Sequence, residues 1–405
     1  MTDAERETAR GNAGEVFLAF LRLGLTSFGG PIAHLGYFRA EFVERRRWID
    51  ERGYGELVAL SQFLPGPSSS QVGFALGLLR AGPLGAAAAF TAFTLPSAIL
   101  LVLFAFGVSW FDGPVAAGAL HGLLVVAVAI VAQAVLGMAR TLAPDVRRAL
   151  IAVGALVLVL VVSGPLGQVA AILAGAVAGM LLCRTAPEPS AAPTRFPVPR
   201  WAGILSLSLF AVLLAGLPVL AALVRSPAIT LFDAFARAGA LVFGGGHVVL
   251  PLLDAEVVTP GWVAPDEFLA GYAAAQAVPG PLFTFAGYLG ALADPGPGGV
   301  AGAALALAAI FLPGFLILVG VLPFWDALRR RPGAQGFIRG ASAAVVGILA
   351  AALYDPVFTS AITDAPSFAL AAAAFVLLVV AKAPPWAVVL GGAAAGILLT
   401  LIPVG

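Results

Sequence analysis

The chain alternates between long apolar runs and short polar turns. Apolar stretches cover residues 15–28, 32–43, 57–79, 85–106, 115–138, 149–162 and 169–183. A polar, proline-rich stretch follows at 184–200, with Pro187, Pro189, Pro193, Pro197 and Pro199. Then come a solitary run at 201–223 and a second series at 231–243, 247–258, 268–292, 300–322, 337–353, 367–381 and 386–401. Runs of this length predict membrane helices of about 20 residues, not barrel strands of about 10. Two runs cannot be single helices. The first, 57–79, holds Pro65-Gly66-Pro67-Ser68-Ser69-Ser70 at its centre, and 268–292 holds Pro279-Gly280-Pro281-Leu282-Phe283-Thr284. Proline lacks an N–H, clashes with the preceding turn and pushes its predecessor out of the helical region. Each run therefore predicts a half-helix, a break and a second half-helix. Glycine breaks are expected at Gly29-Gly30-Pro31 and Gly244-Gly245-Gly246.

The second series repeats the first. Laying 17–43 on 232–258 pairs Phe20 with Phe235, Arg22 with Arg237, Gly24 with Gly239, Phe28 with Phe243, Gly29 with Gly244, Gly30 with Gly245 and Glu41 with Glu256. After one deletion, Trp48 pairs with Trp262, Gln62 with Gln276, Ser70 with Thr284, Gly73 with Gly287, and both Pro-Gly-Pro breaks coincide. Shared apolar composition does not place Arg, Glu, Trp and Gln in register. The expected organisation is an N-terminal repeat at 1–183, a linker with a connecting helix at 184–230, and a C-terminal repeat at 231–405. The expected fold is an all-α integral membrane protein of two inverted-topology repeats with broken, re-entrant helices, about 13 membrane segments in all.

Charge sets the expected orientation. The first repeat's loop carries Arg39, Arg45, Arg46, Arg47 and Arg52. Its counterpart at 254–267 carries no Lys or Arg and holds Asp254, Glu256, Asp266 and Glu267. Opposite bias in equivalent loops predicts opposite sides, with the N-terminus cytoplasmic and the C-terminus periplasmic or extracellular. The segment 15–43 reads either as re-entrant or as one kinked span.

With 60% hydrophobic and 11% charged residues and a net charge of +1, the chain reads as embedded in a lipid bilayer with no nucleic-acid partner. The single Cys183 excludes a disulfide framework or a cysteine metal site. No phosphate loop, His-Glu-x-x-His or Cys/His cluster is present, so no cofactor or metal is expected.

The candidate chemistry lies at the breaks. A helix N-terminus offers unpaired N–H groups and a partial positive charge, which together suit an anion. Ser68, Ser69, Ser70 and Thr284 add hydroxyls, Gln62 and Gln276 amides, and Gly29, Gly30, Gly244 and Gly245 close backbone approach. The competing structural reading is a proline kink with back-bonded hydroxyls. An intramembrane arginine costs about 2.5–3.5 kcal/mol on insertion scales, so Arg22 and Arg237 read as a pair that lines the same cavity, with snorkelling to the interface as the alternative. Asp233 reads as facing away from Arg237, His34 and His247 as polar groups near the interface, and Glu41 and Glu256 as partners of nearby arginines. Pro65–Ser70 and Pro279–Thr284 are expected to meet near mid-membrane around one anion.

Phe28-Gly29-Gly30-Pro31 with His34-Leu35-Gly36, the run Arg46-Arg47-Trp48-Ile49-Asp50 and the first Pro-Gly-Pro resemble the N-terminal half of the chromate ion transporter (CHR) family. Phe243-Gly244-Gly245-Gly246 with Pro251-Leu252-Leu253, and Gln276–Thr284, resemble its C-terminal half. One departure is Val278, where leucine is expected. The resemblance implies a long-chain, two-domain bacterial inner-membrane protein that exports chromate and confers chromate resistance. Sulfate or another oxyanion as substrate, an anion channel, and a homodimeric assembly stay open. An enzyme acting on an oxyanion lacks nucleophile, metal and cofactor motifs.

Overall fold

Helix breaks, more than helices, shape this molecule. A computed structural model describes residues 11–108, 113–162, 164–183, 198–329 and 331–401. Most of the expected linker, 184–197, lies outside the described residues. Helix α1 (Ala13–Thr26) starts on Asn12, whose side chain accepts from the Glu15 N–H at 2.8 Å, and ends at Ser27. Gly29 and Gly30 (φ 100° and 77°), in a region that suits glycine, turn the chain into α2 (Gly30–Phe38). Helix α3 (Glu51–Phe63), capped by Asp50, stops before Pro65, and α4 (Ser68–Val108) starts after Pro67. Ala81 and Gly82 leave helical geometry within α4. The arms 68–80 and 83–108 fold back on each other so closely that a Cβ on Gly77 would collide with the Gly85 carbonyl.

Three helices complete the first series: α5 (Pro114–Leu142), α6 (Val146–Val161) and α7 (Pro165–Leu182). Asp145 caps α6 and accepts from the Arg148 N–H at 3.0 Å. That bond and the Arg148 guanidinium hold its carboxyl below the usual range. Helix α8 (Arg200–Val224) stands between the two series. The second series opens with α9 (Pro227–Leu241). The expected helix over 247–258 is shorter than predicted. It divides into a 3-10 turn, α10 (Val249–Leu253) with Pro251 inside, and a wide turn at Asp254–Val258. The matching stretch of the first series has the same wide turn, Arg39–Arg45. Such turns recur at functional sites. Then come α11 (Pro265–Ala277), a 3-10 turn at Leu282–Thr284, α12 (Phe285–Leu292), α13 (Gly299–Val321), α14 (Trp325–Arg329), α15 (Pro332–Ala352), α16 (Thr359–Ala361), α17 (Ala365–Val379) and α18 (Pro385–Leu401).

Among the described residues, six helices are long and apolar enough to cross a membrane: Ser68–Gly107, Pro114–Leu142, Pro165–Leu182, Arg200–Val224, Gly299–Leu328 and Pro332–Ala361. Shorter apolar helices cover Leu282–Leu292, Ala365–Val379 and Pro385–Thr400. The chain is thus a helical membrane protein. At 1.5 Å per residue the 13 residues of α3 reach about 20 Å, well short of a 30 Å hydrocarbon core.

The two sequence halves interlock. Helix α5 packs on α18, and α7 on α15. Both crossings are made by paired small-residue motifs. A Cβ on Gly118 would stand 2.9 Å from the Gly396 carbonyl, and one on Gly122 would collide with the Gly392 carbonyl. Across the other pair, Gly179 faces Gly336, and Gly340 faces Gly175 in the same way. Backbone meets backbone, so no side chain can yield. Gly179→Leu should therefore cost about 3 kcal/mol or more, read as a fall in folded, monodisperse protein in detergent. Gly391→Leu on α18, where a Cβ meets nothing within 4 Å, should leave that yield unchanged.

Candidate functional site

The four breaks hold one another through two matching hydrogen bonds. The Gly66 N–H donates to the Val242 carbonyl at 2.7 Å, and the Gly280 N–H donates to the Ser27 carbonyl at 3.0 Å. Val242 and Ser27 are the residues two positions before the paired glycine breaks at Gly244 and Gly29. Each Pro-Gly-Pro therefore binds the glycine break of the other repeat. Gly66 (φ 118°) and Gly280 (φ 110°) take up a backbone geometry that L side chains rarely adopt. Each also abuts the residue after a helix proline in the opposite repeat. A Cβ on Gly66 would lie 2.9 Å from the Gly314 Cα, and one on Gly280 would lie 2.7 Å from the Ser97 Oγ. Gly246 packs against Pro31 and Leu282. At Gly30 and Gly245, themselves a matched pair, a Cβ would meet nothing within 4 Å. Pro65, Gly66, Pro67 and Pro279 are buried, and Ser68, Gly280, Gly30, Gly244 and Gly245 half-buried.

Several polar side chains reinforce this cluster, and the pattern reading missed three of them. His34, fully buried rather than interfacial, bridges the Ser27 carbonyl (Nε2, 3.2 Å) and the Ser69 hydroxyl (Nδ1, 3.3 Å), with its ring edge-on to Phe93. Gln71, also fully buried, donates through Nε2 to the carbonyls of both Pro65 and Gly314 at 2.9 Å, tying the first break to α13. Ser27 is the third. Its signal in the sequence was a polar residue at the apolar end of a run, matched by valine in the other repeat. Thr284 donates back to the Pro281 carbonyl at 2.7 Å, the local bond of a structural turn. Three donors nearby have no protein partner: the buried hydroxyls of Ser27, Ser70 and Thr94. Ser27 and Ser70 belong to breaks, and the Thr94 backbone carbonyl accepts from the Ser97 hydroxyl, which lies beside Gly280.

Other expected donors lie elsewhere. Gln62 is exposed, because it falls on the outer side of the last turn of α3. Arg22 is also exposed. Arg237 is engaged by carboxylates. Its Nη1 lies 2.6 Å from Asp233 Oδ2 and its Nη2 2.5 Å from Glu256 Oε2. Asp233 thus faces Arg237, as residues four apart on a helix must, and the reading that it faces away is corrected. The two arginines form no lining pair, because one guanidinium is neutralised and the other points out of the protein. Glu41, the counterpart of Glu256, pairs with Arg45 and Arg46, not with Arg22. His247 reaches the Tyr272 hydroxyl at 2.8 Å. Among the described residues, no group of three or more His, Cys, Asp or Glu is placed to hold a metal ion.

Comparison with known proteins finds relatives over most of the chain. The chromate transporter family model matches twice, over residues 14–180 and 229–397. A "Chromate transport protein" of Cupriavidus metallidurans is 29% identical over 392 residues, covering 94% of this chain and 91% of that one. Another of that name, from Pseudomonas aeruginosa, is 28% identical over 355 residues, 84% and 80% of the two chains. A "Probable chromate transport protein" of Synechococcus elongatus is 29% identical over 363 residues, 82% of each. No solved structure matches the chain.

Proposed function

The chain belongs to the chromate transporter family, and on that premise we propose that it is a secondary transporter that exports chromate across the bacterial inner membrane by alternating access at the four breaks. The observation that carries this reading is the set of unpartnered donors around them. A buried polar group without a partner costs about 1–3 kcal/mol, and three such hydroxyls on or beside the breaks suit a ligand with acceptors only. Chromate is a tetrahedral dianion of that kind. The backbone N–H groups at the starts of α4 and α12, and the room beside Gly30 and Gly245, supply further donors and space.

The exchanged bonds, Gly66 to Val242 and Gly280 to Ser27, support two repeats related by a pseudo-two-fold axis. In such an arrangement equivalent patches contact each other reciprocally. With the arginine-rich loop inside and its acidic counterpart outside, the axis lies in the membrane plane and the repeats are inverted, as alternating access uses. Export needs no ATP. A cell interior negative by about 100 mV repels a dianion with roughly 4.6 kcal/mol, from about 2.3 per charge. In this account Arg22 and Gln62 stay outside the site, and Thr284 shapes the second break.

Purified protein in liposomes should take up labelled chromate saturably, with sulfate as competitor. Discrete single-channel currents in a planar bilayer would instead make it an anion channel. Ser70→Ala removes one unpartnered donor and should weaken chromate affinity about 10- to 150-fold, which is about 1.5–3 kcal/mol for a bond to a charged group. Isothermal titration checks it. Thr284→Ala should shift affinity less, since that hydroxyl is already bonded.

A further inference from the structure

A second polar feature lies away from the breaks. A pocket of about 480 Å3 opens between the start of α7, the end of α8, α9 and the turn that follows α10. Thr230, Asp233, Arg237, Glu256, Thr259 and Trp262 line it. Glu256 meets Arg237 with both oxygens, at 2.5 Å to Nη2 and 3.2 Å to Nε. Asp233 uses Oδ2 alone. Its side chain is 6% exposed, and its Oδ1 is buried without a partner. Two carboxylates against one guanidinium leave one surplus negative charge in the wall of the pocket. The neighbouring elements bring nothing to balance it. The lining residues of α7 and α8 are Pro165, Ala221 and Ala222, and α10 and α13 carry no ionisable residue. The turn after α10 adds beside Glu256 only a further carboxylate, Asp254, whose Oδ1 is likewise buried without a partner. A hard divalent cation wants six or more oxygens, and here a guanidinium already occupies the space between the carboxylates. A proton needs one oxygen.

We propose that Asp233 is a proton-binding residue, reached through this pocket, and that its protonation is coupled to anion movement at the breaks. The coupling rests on the transport reading above; the proton site does not. The step forms one O–H bond on Oδ1 with a proton from bulk water and breaks no covalent bond. It turns the contact with Arg237 from an ion pair into a hydrogen bond between the guanidinium and a neutral acid, and leaves Glu256 as the one anionic partner. Helix α9 carries the change. Asp233 lies about 13 Å of helix from Val242, whose carbonyl holds the Gly66 N–H. The first repeat has Leu18 where the second has Asp233, so the device exists on one side only. That gives two otherwise matched faces different chemistry.

Asp254 on the neighbouring turn has a second buried, unpartnered carboxyl oxygen, so infrared difference spectra are taken on the full chain carrying Asp254→Asn in lipid nanodiscs. As pH falls from about 8 to about 5, they should show the carbonyl stretch of one protonated carboxylic acid. Asp233→Asn should abolish that band, and Glu256→Gln should keep it. With the membrane potential clamped, chromate flux in liposomes should change with pH on the pocket side by up to about tenfold per unit in the wild type. The Asp233→Asn profile should be flat. A band absent from the Asp254→Asn protein, or persisting when Asp233→Asn is added to it, overturns the proton site whatever transport does. A band that behaves as expected beside an unchanged flux profile in Asp233→Asn overturns the coupling. Flux absent from the wild type removes the transport reading and the coupling with it, while the band still decides the proton site.

Discussion

Gly66→Ala should abolish chromate transport and lower the melting temperature of the purified protein. The backbone at Gly66 has φ 118°, and a Cβ there would lie 2.9 Å from both the Gly314 Cα and the Gln71 Nε2. An L residue in left-handed backbone costs roughly 1–2 kcal/mol, and overpacking a close contact typically adds about 1–3. Gln71 can swing aside only by giving up its bonds to Pro65 and Gly314, and the Gly314 backbone cannot swing at all. The strain therefore falls on the hydrogen bond from Gly66 to Val242, which joins the two repeats. Gly280→Ala tests the same geometry with an escape route, because its Cβ would meet the Ser97 side chain. Adding Ser97→Gly should return part of the lost activity to Gly280→Ala, leaving only the φ strain. At Gly66, trimming Gln71 would still leave the contact with the Gly314 backbone. Uptake into proteoliposomes and melting curves measure both effects, and wild-type uptake by Gly66→Ala would remove the break from the transport machinery.

The second large effect belongs to Arg237. Replacing it with methionine strands Asp233 and Glu256, whose side chains are 6% and 9% exposed. Removing one partner of a buried ion pair costs about 3–5 kcal/mol. Arg237 is itself 37% exposed, so a loss near about 3 kcal/mol is expected. The triple replacement Arg237→Met, Glu256→Gln and Asp233→Asn should recover most of it, because no buried charge is then left alone. The matched substitution Arg22→Met should stay within about 0.5 kcal/mol, as surface changes do. Thermal melting of the four proteins in one detergent decides the matter. Equal losses at Arg22 and Arg237 would contradict the pairing described here.

Sequence patterning located the breaks well because their causes are local. Proline at 65, 67, 279 and 281, and glycine pairs that need positive φ, interrupt a helix wherever they stand. The apolar runs likewise marked the long helices. The partners of the breaks were not legible, because they depend on how the halves interlock. Nothing near Gly66 in the chain points to Val242, and nothing near Gln71 points to Gly314. The glycines of α5, α7, α15 and α18 carried an unread signal, spaced four apart on both members of each crossing pair. Arg22 and Arg237 show the limit of repeat logic. Alignment makes them equivalent, yet the Leu18-for-Asp233 difference gives only one of them a carboxylate four residues away. His34 reads from the sequence as an interfacial polar group and Gln71 stands out in no pattern, although burial gives both more to do than the exposed Gln62. Asp233 was misjudged where helical spacing alone would have placed it beside Arg237.

The central claim is that both repeats build one chromate site from their breaks. Equilibrium dialysis of labelled chromate against the purified full chain tests it most directly. The account predicts one saturable site per chain, lost in Gly66→Ala and lost equally in Gly280→Ala, with the exposed Arg22→Met unchanged. Two independent sites, or one that survives either glycine substitution at full affinity, would contradict it.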